Sequence, residues 1–389
     1  MPAGTGSLER LRQFDLFLTN NGPRLTLQNL NKLTSEILMR LPFKFLSSWH
    51  FAAVAPIVTA MMLVWTSPIA AQTKALATNV PEIPMQAVEG FIKLPEGFYF
   101  GEALGVATNS QGHIFAYTRS GDTRLFEFDE NGNYVREIGE GLYGFEFAHK
   151  VRVDKDDNIW AVDEGTNQVI KFNPEGRVEM VLGYRPAAQD GAVASTRGDG
   201  PDERYLFGRP TDVTWDTQGN IFVSDGYINH RVVKYTSDGH YVGQVGTGAR
   251  GSDIDQFNTP HTIASDDLGN IYVGDRGNAR VKVFNSDLDL LTMYENVGSP
   301  WEICISEGAH QYLFVSNSNP DSNPAASWDI TGEVYKMELD GTILGKFGEA
   351  GKGAGQFQTI HGMDCRNPNE ILVAEIAAWR VQKILLGSE

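Results

Sequence analysis

Two cysteines in 389 residues are too few for a disulfide-stapled scaffold, which draws its stability from several bridges. Basic residues are scarce as well, 32 Lys and Arg against 49 Asp and Glu, for a net charge of −17. That balance argues against nucleic acid, whose phosphates must be neutralised by basic side chains. Long hydrophobic runs are missing too. The longest, residues 51–65 (FAAVAPIVTAMMLVW), has 15 residues, short of the roughly 20 that a membrane-spanning helix needs. Beyond residue 80 no segment keeps a helical spacing of its apolar positions.

What the chain has is glycine, 41 of them, and a repeat. The stretches 103–139 (ALGVATNSQGHIFAYTRSGDTRLFEFDENGNYVREIG) and 208–246 (GRPTDVTWDTQGNIFVSDGYINHRVVKYTSDGHYVGQVG) are copies of one unit, and a weaker copy runs over 299–348. Short alternating runs of Val, Ile, Phe and Tyr are separated in each by D-x-x-G-N or x-x-D-G turns, the pattern of antiparallel strands joined by tight hairpins. Anchor residues Ile114, Ile159, Ile221, Ile271, Leu313 and Ile371 mark six units, spaced 45, 62, 50, 42 and 58 residues apart. Units of about 40–50 residues with four strands each are propeller blades. The expected fold is all-β, a six-bladed β-propeller over 89–387, with 89–97 (EGFIKLPEG) completing the last blade and 72–88 as a linker.

Residues 1–71 read as a leader. Arg40 and Lys44, the apolar run and the small residues of SPIAAQ make the three parts of a secretory signal, with translation expected to start at Met39. An uncleaved membrane anchor is the competing reading. The rest of the chain carries 26 basic and 46 acidic residues, a net −20, as an acidic domain that is secreted or periplasmic, and monomeric, would have. Export permits a disulfide between Cys304 and Cys365, although buried free thiols are the preferred expectation.

Three histidines share one register of the repeat. His149, His261 and His361 each stand ten positions before an anchor isoleucine, Ile159, Ile271 and Ile371. They fall on blades two, four and six, about 120° apart around a six-blade ring, at the start of the innermost strand. Three imidazoles converging on one axis leave a fourth position open, the ligand set of a catalytic zinc. Unrelated core or loop histidines are the bland alternative. Arg119, Tyr227 and Arg276 follow their anchors by five or six residues and belong to turns at the same mouth. Singly, each would read as a solvated turn or an inter-blade ion pair. Beside a metal, two arginines suit an anionic substrate such as a carboxylate, and a tyrosine there can have its pKa lowered enough to act as a base. Asp163, Asp225 and Asp275 recur four residues after the anchors, and that repetition reads as structural bridging.

The stretches VSDGYINHRVVKY, FNTPHTIAS, GDRGNARVKVF and AHKVRVDKDDNIWAVD resemble the NHL-type propeller of peptidyl-α-hydroxyglycine α-amidating lyases, over about residues 100–386. The resemblance implies zinc held by His149, His261 and His361, Tyr227 as general base, and Arg119 and Arg276 as active-site arginines. It implies a lyase that cleaves the C–N bond of an α-hydroxyglycine to an amide and glyoxylate, on a small-molecule or peptide substrate with a carboxylate. The chain departs from the family pattern in three places. Gly362 stands where the family has the aspartate that helps hold a structural calcium, which puts calcium in doubt, with Asp364 as the candidate substitute. Thr359 replaces a methionine, and Ile228 a cysteine. No stretch resembles the copper monooxygenase that would hydroxylate a glycine, so a peptide hormone precursor is not the expected substrate.

Residues 184–206, 247–256, 317–331 and 349–356 are long, non-repeating insertions expected on the histidine face as walls of the site, with Trp301 and Trp328 as candidate lining. Two other readings stand beside the lyase: a non-catalytic propeller that binds protein or glycan, and a metal-dependent hydrolase or lactonase. Aligned histidines speak against the first, and histidine in place of carboxylate ligands against the second.

Overall fold

In the computed structural model, residues 79–185, 203–318 and 331–387 are described. The leader, most of the 184–206 and 317–331 insertions, and Trp328 lie outside the described residues. Six four-stranded antiparallel sheets make the six blades. Their inner strands are Glu102–Thr108, Ala148–Val153, Asp212–Trp215, Pro260–Ser265, Pro300–Ile305 and Ile360–Asn367. The second strands, Ile114–Arg119, Ile159–Asp163, Ile221–Asp225, Ile271–Asp275, Tyr312–Asn317 and Glu370–Glu375, each contain an anchor residue, and all six anchors are buried. Two three-residue 3₁₀ turns, Glu203–Tyr205 and Arg276–Asn278, are the only helical elements among the described residues.

The hairpins form for local reasons. In the turn from the inner to the second strand of blade three, Asp216 accepts the N–H groups of Gln218 and Asn220 at 2.9 Å each, while Gly219 takes the left-handed conformation the turn requires (φ +78°). Blade two puts Asp157 in that place at φ +60°, a conformation short polar side chains tolerate. The apolar residues of the strands then pack sheet against sheet. One buried cluster joins blades one and two through Tyr117, Leu125, Val151, Ile159 and Phe172, and others fill the gaps around the ring.

The ring closes differently from the expectation. Met85–Val88, ahead of 89–97, pairs antiparallel with Arg380–Leu386 as the fourth strand of blade six, and Ile83 donates its N–H to Lys346 of blade five at 2.7 Å. Phe91, Ile92, Leu94 and Phe98 instead pack as partly buried side chains on blade one. The segment assigned to closure therefore covers the adjacent blade with its apolar residues, and part of the assigned linker closes the ring.

The cysteine expectation is overturned as well. Cys304 and Cys365, on the inner strands of neighbouring blades five and six, form a disulfide with Cα atoms 6.0 Å apart, a separation within the usual range. Alignment of adjacent inner strands brings the two residues into reach despite 61 residues of separation.

Candidate metal centre

The three histidines meet on the axis. Each is the extra residue of a β-bulge, since pairing with the second strand skips from Ala148 to Lys150, from Pro260 to Thr262 and from Ile360 to Gly362. A bulge re-aims one side chain without ending the strand, and here it does so identically on alternate blades. The imidazole centroids form a triangle with sides of 4.8, 4.6 and 4.8 Å.

Orientation is fixed from the neighbouring blades. Nδ1 of His149 lies 2.5 Å from the Thr211 carbonyl, Nδ1 of His261 2.7 Å from that of Trp301, and Nδ1 of His361 2.8 Å from that of Leu104. A carbonyl only accepts, so each Nδ1 carries the hydrogen and each Nε2 lone pair is left for a ligand. Such a backbone partner is how proteins set the tautomer of a metal-binding histidine. Burial, with the cations of Lys150 and Arg119 adding to it, pushes the pKa of His149 well below the ordinary value. His261 shifts the same way through burial and Arg276, and His361 through burial and Lys150.

The donor set fits a metal ion. The candidate ligand atoms lie within 4.8 Å of one another, and a tetrahedral zinc with bonds of about 2.0–2.1 Å would need only a modest contraction. The calcium-holding aspartate of the family pattern has no counterpart at Gly362. A Cβ on Gly362 would lie 2.8 Å from Gly105 Cα and from the Leu104 carbonyl, so blade one leaves no room there for an aspartate. Asp364 is occupied elsewhere, accepting the Thr108 N–H at 2.7 Å and the Arg366 N–H at 3.2 Å. One residue along the strand from His149, the fully buried Lys150 ammonium donates to Glu302 and to the His361 carbonyl. Arg152 adds bonds to Asp212 at 2.9 Å and to Glu302 at 2.7 Å. The centre of the propeller thus holds its own cations.

Around the histidines the three other expected residues take different positions. The Tyr227 hydroxyl is 3.2 Å from Nε2 of His149 and 3.2 Å from Nε2 of His261. Arg276 stacks its guanidinium 4.1 Å from the centroid of Trp301 and 5.5 Å from that of Tyr227, and its buried Nη1 has no hydrogen-bond partner among the described residues. Trp301 lies against His261, with ring centroids 5.2 Å apart. Arg119 reaches the same rim but is committed there. It bonds Glu102 at 2.5 Å, the Ala148 carbonyl at 3.2 Å and Glu164 at 3.4 Å, and stacks 3.7 Å over Phe147. The recurring aspartates bridge backbone as expected. Asp163 accepts from Glu146 and Phe147, Asp225 from Gly208, and Asp275 from Asn258.

Glu164 escaped the sequence reading. Its carboxylate is 2 % exposed and its Oε2 lies 3.9 Å from Nε2 of His149. Burial raises its pKa, with Arg209 and Arg119 opposing. The signal was present: Glu164 follows Asp163 just as Arg276 follows Asp275, so the two hold one register on blades two and four.

Comparison with known proteins finds the same repeat. The NHL repeat model matches residues 257–284. A probable peptidyl-α-hydroxyglycine α-amidating lyase of Caenorhabditis elegans is 29 % identical over 320 residues, 74 % of this chain and 83 % of that protein. The peptidylglycine α-amidating monooxygenase of Rattus norvegicus is 32 % identical over 189 residues, 46 % of this chain but only 18 % of that longer protein. Human NHL repeat-containing protein 3 is 26 % identical over 338 residues, 80 % of this chain and 87 % of that protein. The chain is a six-bladed β-propeller with an NHL repeat match at residues 257–284, and it resembles proteins named as peptidyl-α-hydroxyglycine α-amidating lyases.

Proposed function

We propose that the protein is a zinc-dependent lyase that cleaves the C–N bond of an α-hydroxyglycine, R–CO–NH–CH(OH)–COO⁻, to the amide R–CO–NH₂ and glyoxylate. The observation that carries this reading is the Tyr227 hydroxyl at 3.2 Å from two of the three convergent imidazole nitrogens, a base placed where a hydroxyl would be activated. His149, His261 and His361 would hold the metal, which supplies Lewis-acid polarisation of the substrate hydroxyl. Tyr227, as its phenolate, takes the hydroxyl proton, the carbon–oxygen bond becomes a carbonyl, and the C–N electron pair leaves with the nitrogen, which receives that proton from the phenol. Arg276 Nη1, buried and unpartnered, receives the carboxylate. Arg119, expected as a second carboxylate contact, acts as a positioning residue that holds Glu164 and the start of the His149 strand.

The likeness to an NHL repeat-containing protein over 80 % of the chain supports a second reading, a propeller that binds a partner without turnover. The two separate in one assay. Zinc-loaded protein incubated with α-hydroxyhippurate should release benzamide and glyoxylate in equal amounts. A zinc-loaded protein that forms no glyoxylate from any α-hydroxyglycine would exclude the lyase and favour the binding propeller.

A further inference from the structure

Three buried polar atoms at the rim of the histidine ring have no hydrogen-bond partner among the described residues: Glu164 Oε2, Arg276 Nη1 and Trp301 Nε1. Buried polar groups are ordinarily paired, and leaving one unpaired is costly. Three together beside one cluster of imidazoles describe the complement of a ligand. A carboxylate oxygen accepts, whereas guanidinium and indole N–H groups only donate. The ligand must therefore offer one hydrogen-bond donor on the blade-two side and acceptors on the side of blades four and five. At the equivalent register of blade six stands Ile376, buried and packed in the cluster with Trp301, which asks for apolar surface.

Resting on the lyase reading, we propose that Glu164 is a specificity residue that accepts the amide N–H of the substrate and so distinguishes it from an ester or an N-alkylated analogue. An N–H one bond from the carbon bearing the carboxylate, with an apolar acyl group beyond it, matches one acceptor, two donors and an isoleucine. Glu164 is held for this task. Its Oε1 accepts from Arg209 at 2.8 Å and from Arg119 at 3.4 Å, which fixes the side chain and leaves Oε2 facing the histidines. The other use of that oxygen would be as a fourth metal ligand.

The test is binding, which reads the contact without requiring turnover. Calorimetry on zinc-loaded protein would compare hippurate with N-methylhippurate and with O-benzoylglycolate, in which the N–H is replaced by N–CH₃ and by oxygen. Wild-type protein should bind hippurate at least about tenfold more tightly than either analogue, because a site built to receive a hydrogen bond rejects ligands that lack it. Glu164→Leu should bind all three alike and keep its zinc, while Glu164→Gln, which retains an acceptor, should keep part of the preference. Should Glu164→Leu fail to fold, Glu164→Gln and the wild-type comparison decide. A wild-type protein that does not discriminate or binds none of the three, or a Glu164 variant that loses its zinc, would overturn the proposal. Discrimination in a protein that forms no glyoxylate would sink the lyase and leave this contact standing.

Discussion

Lys150 of blade two and Glu302 of blade five face each other across the six-blade ring and join as a buried ion pair at its centre, both fully shielded from solvent. With Arg152 and Asp212 they form a cluster of two cations and two anions. A divalent ion placed there would have to displace an ammonium. Adding calcium should therefore leave the melting temperature of the protein unchanged. Lys150→Met, which leaves Glu302 short of a partner, should cost about 3–5 kcal/mol in chemical denaturation.

The Cys304–Cys365 disulfide ties two adjacent inner strands across 61 residues of chain. Closing a loop of that length stabilises by about 4 kcal/mol on the chain-entropy account, and measured bridges give about 2–4 kcal/mol. Cys304→Ser should lower stability by such an amount in urea unfolding. A reducing agent should shift wild type equally and leave the variant unmoved.

The two rim residues with distinct tasks should separate in kinetics. Tyr227→Phe removes only the proton acceptor and should lower kcat by about 10²–10⁴-fold, the usual worth of general base catalysis. Arg276→Ala removes a contact to the carboxylate and should act mainly by raising KM, provided ground state and transition state use that contact equally. Steady-state rates of glyoxylate release measure both.

Oxidised cysteines persist outside the cytoplasm, and export with cleavage of the leader is a proposal that the Cys304–Cys365 pair suits. The native protein should begin near Gln72 and be recovered from the secreted or periplasmic fraction. Intact mass spectrometry checks this: a terminus at Met1 or Met39 would show that the leader is retained.

The blade count and the histidine ring were legible because both are periodic: six anchors and three residues at one offset survive without any knowledge of contacts. Closure was misplaced because 85–88 (MQAV) is only four residues long, while the longer apolar stretch after it looked like the better strand and in fact covers blade one. The disulfide was hidden because its partners are adjacent only once two blades stack. Lys150, Glu302 and Glu164 were missed for a shared reason. Each looks like an ordinary surface charge in sequence, and only the arrangement around the axis buries it. Glu164 alone left a trace, its register match with Arg276.

Three histidines turned toward one point carry the proposed chemistry, and metal content tests their role most directly. Elemental analysis of the purified propeller should find about one zinc per chain, as a three-histidine site with an open position holds. His261→Ala should lose the metal while keeping the wild-type circular dichroism, since the blades pack through other residues. The triple variant with His149, His261 and His361 all changed to alanine should hold none. Stoichiometric zinc retained in that folded triple variant would contradict the account.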